Sequence, residues 1–205
     1  MKTRLWILPL LLLSSQSLPA VEPADFTVML RGYCYAGNAQ NDPKAIGGYG
    51  KCDNLPKPLA SPATTKDLHL EIADAKDAVF AQKYAAILVR LVNGQNKTAE
   101  ISASDSRLGI VQEALDTDGT WKEIEYLPNS GCGNSYHHVY LAPNHYWEFV
   151  APKYSGPQKT KLRFKLTISP NQILYSPPYA GGIHPEQLTV KQGHNPTNLM
   201  DPYGN

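Results

Sequence analysis

Hydrophobic and polar residues alternate with a period of two through much of the chain between residues 67 and 168. The clearest case is residues 161–168, where four large hydrophobic side chains alternate with Lys, Arg, Lys and Thr. Shorter stretches of the same pattern occur at residues 68–72, 87–91 and 99–103. This period is typical of β-strands that bury one face and expose the other. We therefore expect one face of each strand to pack in a core and the other to meet solvent.

Turn-forming residues separate these runs, at Asn93-Gly94, Asp118-Gly119, residues 128–131 and Pro143-Asn144. Short strands joined by such turns predict an all-β protein, an antiparallel immunoglobulin-like β-sandwich. Helical composition is passable only at residues 73–84, which we interpret as a loop or short turn of helix, and at residues 108–115, which we interpret as a strand. Residues 173–175 and 187–190 are predicted to add short edge strands.

The same pattern divides the chain into four segments. Residues 1–20 are predicted to be a signal peptide, and residues 21–66, rich in Gly, Asn and Pro, an irregular N-terminal arm. Residues 67–191 form the predicted sandwich domain. Residues 192–205 are predicted to be a flexible tail.

The leader predicts export. Lys2 and Arg4 precede an apolar run over residues 5–13, and small residues lead to a cleavage position after Ala20. The run is too short to span a membrane, and no second hydrophobic segment of spanning length follows it. We therefore expect a secreted or periplasmic protein with no transmembrane segment in the mature chain.

Composition narrows the choice of partners. The chain has 19 basic and 18 acidic residues and a net charge of +1, without a basic cluster beyond the leader. A nucleic-acid partner is therefore not expected.

The three cysteines fit an oxidising compartment. A Cys34–Cys52 disulfide would close a glycine-rich segment with few hydrophobic residues, and Cys132 would be left over. Pairings of Cys132 with either of the other two remain open.

Three stretches carry a resemblance to a known kind of protein. They are residues 84–93, residues 105–116 followed by residues 118–121, and residues 146–152 leading into residues 161–167, which continue the strand–turn–strand pattern. Over residues 67–168 the chain resembles secreted bacterial immunoglobulin-like β-sandwich proteins of unassigned function. The resemblance implies the sandwich fold and transfers no functional motif.

One cluster of residues has the chemistry of a metal site. Cys132, His137 and His145 offer a thiolate and two imidazoles, the ligands that copper and zinc prefer. Leu141 stands where a blue-copper site would place an axial methionine, and no second cysteine closes a zinc site. A metal-handling protein is therefore an alternative, whereas the preferred hypothesis requires no cofactor.

The preferred hypothesis is a non-catalytic binding protein. Tyr136, His138 and Tyr140 share one face of a predicted strand and are the candidate binding residues, next to the loop at residues 128–138. The partner would be a protein or a polysaccharide, which makes a carbohydrate-binding module a further alternative. Glu123 and Glu125 are two apart, as on one exposed face of a strand, a spacing that can mimic a glycosidase pair.

The first testable prediction concerns export. N-terminal sequencing of the exported protein should find a mature chain that starts close to Val21, because the apolar run is followed by small residues that end at Ala20. A mature protein that still begins at Met1 would contradict this expectation.

Overall fold

The protein is all-β. The structure, a computed structural model, describes residues 20–38, 40–73, 77–129 and 131–193. The predicted leader before residue 20 and the predicted tail beyond residue 193 lie outside these ranges. The described strands are β1 (Leu30–Arg31), β2 (Lys57–Pro58), β3 (Leu68–Ala73), β4 (Val79–Phe80), β5 (Tyr84–Asn93), β6 (Ala99–Ser104), β7 (Arg107–Leu108), β8 (Ile110–Leu115), β9 (Trp121–Glu123), β10 (Glu125–Tyr126), β11 (Tyr136–Leu141), β12 (His145–Pro152), β13 (Gln158–Ser169), β14 (Gln172–Tyr175) and β15 (Tyr179–Ile183).

Two short 3₁₀ helices complete the described secondary structure, Gly133–Ser135 and Pro185–Leu188. Within the described ranges, no helix has both the length and the hydrophobicity needed to cross a membrane.

Three antiparallel sheets form the body of the molecule. The first has the order β2-β12-β5-β3, with β4 also paired to β5. The second has the order β14-β13-β8-β9, with β15 paired to the other half of β13. The third is β11-β6-β7, and a short parallel pair, β1 with β10, joins the N-terminal region to the rest.

The three sheets share one hydrophobic core. Val89 and Leu91 of β5, Trp147 of β12, Ile101 of β6 and Leu166 of β13 are fully buried in a single cluster. Trp147, the largest of these side chains, lies in the packing between the sheets. A smaller second cluster contains Leu30, Ala114, Ile124, Tyr154, Leu162 and Ile183.

Most of the predicted strands are confirmed. The alternation at β3, β5, β6 and β13 corresponds to alternating burial, residues 108–115 are almost entirely strand, and residues 173–175 lie in β14. The strand predicted at residues 187–190 is wrong. Pro185 instead begins a 3₁₀ helix, with the side chain of Gln187 accepting a hydrogen bond from the backbone N–H of His184 at 3.0 Å.

The N-terminal arm contributes to the core. Ala24, Leu30, Cys34 and Ala36 are buried. Its backbone is bonded to distant segments: Ala36 donates to the carbonyl of Ser106 at 2.8 Å, and Leu108 donates to the carbonyl of Cys34 at 2.9 Å. Residues 34–36 are therefore held by packing and hydrogen bonds.

The predicted Cys34–Cys52 disulfide is not present. The three cysteines all lie within the described residues, and no two of them are at disulfide distance. Cys34 is buried in the main core, where burial and then the nearby Glu125 raise the pKa of its thiol. Core packing and backbone hydrogen bonds replace the covalent clip that the glycine-rich sequence suggested.

The second prediction tests the packed face of β13. Phe164 is 0% exposed, so Phe164→Ala should lower the free energy of unfolding by about 3–5 kcal/mol because it leaves a large cavity. Lys161→Ala, on the exposed face of the same strand, should change it by no more than about 0.5 kcal/mol. Urea denaturation of both variants measures this. Similar losses would contradict the assigned burial.

Candidate functional site

A tight hairpin between β6 and β7 places two polar side chains side by side. Asp105 and Ser106 form the two-residue turn with φ values of 48° and 63°, the positive-φ pattern of hairpin turns whose twist matches the flanking strands. Ser104 and Arg107 flank the turn and lie directly opposite each other. Side chains at such paired positions project from the same face of the sheet.

Neighbouring segments hold this turn firmly. The backbone N–H of Gly50 donates to Asp105 Oδ1 at 2.8 Å, and Ser106 Oγ donates to the Gly50 carbonyl at 2.7 Å. Asp105 N also donates to the carbonyl of Ser135 at 2.8 Å. The positions of Ser104 and Arg107 are therefore fixed before any ligand arrives.

The third sheet aligns a tyrosine with this pair. Tyr136 of β11 lies opposite Ser104 of β6, which lies opposite Arg107 of β7. One row across the sheet thus presents a phenol, a hydroxyl and a guanidinium on the same face.

A cavity of about 260 Å³ opens over this row, and we call it the Arg107 pocket. Its walls come from the segment at residues 127–129 and from Thr167 at the end of β13. The lining residues are Ser102, Ala103, Ser104, Arg107, Leu108, Gly109, Leu127, Pro128, Asn129, Tyr136 and Thr167.

The pocket lining combines exposed hydrophobic side chains with a few polar groups and one buried cation. Tyr136 is 48% exposed, and Leu127 is also exposed, which is unusual for side chains of this size. Tyr136 donates its hydroxyl hydrogen to Asn129 Oδ1 at 3.1 Å. Arg107, 8% exposed, donates from Nη2 to the carbonyl of Pro128 at 2.9 Å.

The other two predicted binding residues are engaged by the loop at residues 38–50. Asp42 Oδ2 accepts hydrogen bonds from the backbone N–H of His138 at 2.7 Å and lies 3.1 Å from its ring Nδ1. Asp42 Oδ1 accepts the hydroxyl hydrogen of Tyr140 at 2.9 Å. Burial opposes ionisation of Asp42, yet these hydrogen bonds and one from the backbone of Lys44 hold its pKa well below the usual range.

This loop also protects the edge of the third sheet. β11 is an edge strand, and Asn38 Oδ1 accepts the backbone N–H of Tyr140 at 2.9 Å while Asn38 Nδ2 donates to the His138 carbonyl at 3.3 Å. Together with Asp42, the asparagine takes the place of a further strand. Burial, followed by the bond to Asp42, raises the pKa of Tyr140 to about 12. Of the three predicted binding residues, Tyr136 has by far the most open surface.

The predicted metal ligands are not gathered into a site. His137 is buried and stacks on Tyr49 with ring centroids 3.7 Å apart, and burial lowers its pKa. His145 begins β12, where its Nδ1 lies 2.8 Å from the Pro143 carbonyl. Cys132 precedes the 3₁₀ helix Gly133–Ser135. Among the residues that the structure describes, no three His, Cys, Asp or Glu side chains are grouped to hold a metal ion.

The Glu123 and Glu125 pair does not face a common surface, so that expectation is wrong. Glu123 ends β9 and bonds Lys165 Nζ at 2.9 Å on the outside, whereas Glu125 is 1% exposed. Its Oε1 accepts hydrogen bonds from Tyr33 at 2.7 Å and Tyr154 at 2.8 Å, and Gln112 donates to both carboxylate oxygens. Burial raises the Glu125 pKa to about 7, although these donors act against the rise.

A raised carboxyl pKa is common in catalytic sites, but the Glu125 carboxyl is too deeply buried to contact a substrate. Its carboxylate is surrounded by the tyrosine hydroxyls and Gln112, and it is almost inaccessible to solvent. We therefore interpret this group, which we call the Glu125 network, as structural.

The exposed aromatic surface that a sugar would use lies on the second sheet. The Arg163 guanidinium lies 4.2 Å from the Trp121 ring centroid and 3.9 Å from that of Tyr175, and Arg163 Nη2 pairs with Glu113 at 2.7 Å. The expectation that Arg163 simply faces solvent is therefore wrong. The guanidinium covers one face of each ring, which reduces the flat surface left for a sugar.

The sequence interpretation missed Ser104, Arg107 and Asp42. The two polar residues between stretches of alternating hydrophobic and polar residues could have predicted the hairpin. Such a two-residue turn places residues 104 and 107 opposite each other. The Asp42 contacts had no such signal, since Asp42 and His138 are 96 positions apart.

The third prediction concerns the Glu125 network. The pKa of the Glu125 carboxyl is higher in the folded than in the unfolded chain. The folded state therefore keeps a proton that the unfolded chain loses as the pH rises above about 4.5. The contribution of Glu125 to stability is then largest at low pH and is lost as the pH rises to about 7. The free energy of unfolding should fall by roughly 2–3 kcal/mol from about pH 5 to about pH 8 through this group alone.

Glu125→Gln removes the titrating carboxyl, so its pH dependence should be flatter than that of the wild type by this amount. Urea denaturation at several pH values measures the difference, and titrations of other groups cancel in the comparison. Identical pH profiles for the two proteins would refute the assignment.

Comparison with known proteins gave no relative: no family model, curated protein or solved structure matches the chain. The function proposed below therefore rests on the geometry and chemistry of the described residues.

Proposed function

We propose that this chain is an exported, non-catalytic binding protein with an immunoglobulin-like β-sandwich architecture that takes its ligand in the Arg107 pocket. Three antiparallel sheets around one core support the architecture. The charged and apolar leader, followed by small residues, supports export to the periplasm or the medium.

One observation carries the binding role: the pocket contains polar groups with unused hydrogen-bonding capacity. Ser104 Oγ is buried and has no hydrogen-bond partner among the described residues. Buried polar groups in folded proteins are almost always bonded, so an exception inside a cavity favours a ligand as the missing partner. The pocket floor is also fixed in advance by the bonds of the hairpin turn, which reduces the entropic cost of binding.

The chemistry of the lining supports binding rather than catalysis. Among the described lining residues, the only permanently charged side chain is that of Arg107, which stays protonated in proteins and cannot act as a general base. The described lining residues include no carboxylate, imidazole or thiol to activate a nucleophile or transfer a proton.

A second candidate function is polysaccharide recognition by the second sheet. Its support is the aromatic pair of the half-buried Trp121 and the exposed Tyr175, on either side of Arg163. The partial covering of both rings by the guanidinium makes the Arg107 pocket the better-supported site.

The fourth prediction separates the two sites with a matched pair of variants. ¹⁵N-labelled mature chain is titrated with a library of anionic, neutral and cationic ring fragments and, separately, with cellohexaose, and backbone amide shifts are recorded. We expect fragment hits to shift resonances at residues 102–104, 107–109, 127–129 and 136, because these residues line the pocket.

Tyr136→Ala should weaken the fragment hits about tenfold or more through loss of aromatic contact area, and Tyr175→Ala should leave them unchanged. The two tyrosines are matched, with exposures of 48% and 45%. Absence of hits at the pocket would overturn the proposal. Cellohexaose binding that Tyr175→Ala abolishes would favour the second candidate instead.

A further inference from the structure

We infer that the Arg107 pocket binds an organic carboxylate whose small apolar part packs against Tyr136 and Leu127. This inference rests on the proposed function and adds the chemical class of the ligand.

The charge of the pocket selects an anion. Arg107 is 8% exposed and is the only charged residue among the described lining residues, and no described carboxylate forms an ion pair with it. Among the described residues, the Arg107 side chain makes one hydrogen bond, which Nη2 donates to the Pro128 carbonyl. Cations are rarely buried without a partner of opposite charge, because desolvation is costly unless a pair compensates for it.

The second donor, Ser104 Oγ, is itself buried and lies beside the first, so a rotation of the Ser104 side chain brings it to the same anion. Ser104 is directly opposite Arg107 across the hairpin, which separates their Cβ atoms by about 5 Å. The Ser104 hydroxyl can donate to one carboxylate oxygen, while the guanidinium can donate to either oxygen. A single carboxylate between them satisfies the unpartnered Ser104 Oγ and the unpaired Arg107 charge together.

The rim defines the rest of the ligand. Tyr136 and Leu127 are exposed large hydrophobic side chains at the mouth of the pocket, where they can cover an apolar group. The volume of about 260 Å³ is below the ~300–1,000 Å³ of drug-sized ligand sites, which limits the ligand to about one ring and a short chain. A ligand with a positive charge would be repelled by Arg107, and a neutral one would leave that charge unpaired.

The carboxylate can belong to a free small acid or to the C-terminus of a peptide, since both present the same group. Four probes distinguish the cases: 3-phenylpropionate, its amide, the dipeptide acetyl-Ala-Phe with a free C-terminus, and the same dipeptide as the C-terminal amide. Each is titrated into the mature chain by isothermal calorimetry, with amide chemical shifts to locate binding.

We expect each acid to bind about tenfold or more tightly than its amide, because a charge-assisted hydrogen bond is lost in the amide. Arg107→Gln should abolish this preference, and Ser104→Ala should weaken acid binding about threefold to tenfold. Lys161→Gln, a loss of positive charge on an exposed part of β13 outside the pocket lining, should change neither. Tighter binding of the dipeptide acid than of 3-phenylpropionate assigns a peptide C-terminus, and the reverse order assigns a free acid.

Equal affinity of acid and amide would overturn the inference, and so would an acid preference that survives in Arg107→Gln. If Arg107→Gln fails to fold, the acid-to-amide comparison on the wild type and the Ser104→Ala result decide alone. Failure of the inference is distinguishable from failure of the proposed function. Neutral or cationic fragments bound in the pocket would leave the function standing, whereas an empty pocket in the whole fragment screen would remove both.

Discussion

The buried carboxyl of Glu125 is the point at which five parts of the chain meet. Tyr33 comes from the N-terminal arm, Gln112 from β8, Glu125 from β10, Tyr154 from the segment after β12 and Tyr179 from β15. Burial penalises the charged carboxyl, and the protein offsets that penalty with four hydrogen bonds from three residues. Removal of one donor leaves fewer hydrogen bonds to offset the burial of the carboxyl, so these distant segments depend on one another.

The Arg107 pocket is built on this network. Tyr33 leads directly to residues 34–36, whose backbone bonds reach Ser106 and Leu108 and so hold the hairpin that carries Ser104 and Arg107. Glu125 leads in the other direction to the segment at residues 127–129, which forms a wall of the pocket. The hairpin at the floor of the pocket and the segment at its wall are thus both connected to the buried Glu125 carboxyl. A binding site built on loops requires such a rigid support.

Period-two alternation was enough to find the sheets, because it reports a local property, the side of a strand that is buried. It located β5, β6 and β13 and the burial of Phe164. It gave no information on polar groups whose partners are distant in sequence. Glu125 looked like an exposed residue although Tyr33, 92 positions away, binds it in the interior. The glycine-rich arm looked like a segment in need of a disulfide because its long-range backbone bonds leave no sequence pattern.

The outer face of the third sheet is covered by a loop at one end and is open at the other end, where the Arg107 pocket lies. Along β11, the loop at residues 38–50 uses Asn38 and Asp42 to bond the backbone of His138 and Tyr140, so that end of the face is closed. The loop does not extend over Tyr136. Next to Tyr136, the buried Ser104 Oγ has no hydrogen-bond partner among the described residues. The buried polar groups nearby are satisfied with care: Asn93 donates to two carbonyls and Asp42 accepts from three residues. Ser104 Oγ is one of the buried side-chain atoms without a hydrogen-bond partner among the described residues, and it lies beside an Arg107 guanidinium that no described carboxylate pairs. This combination is what supports the proposal of a ligand as the missing partner.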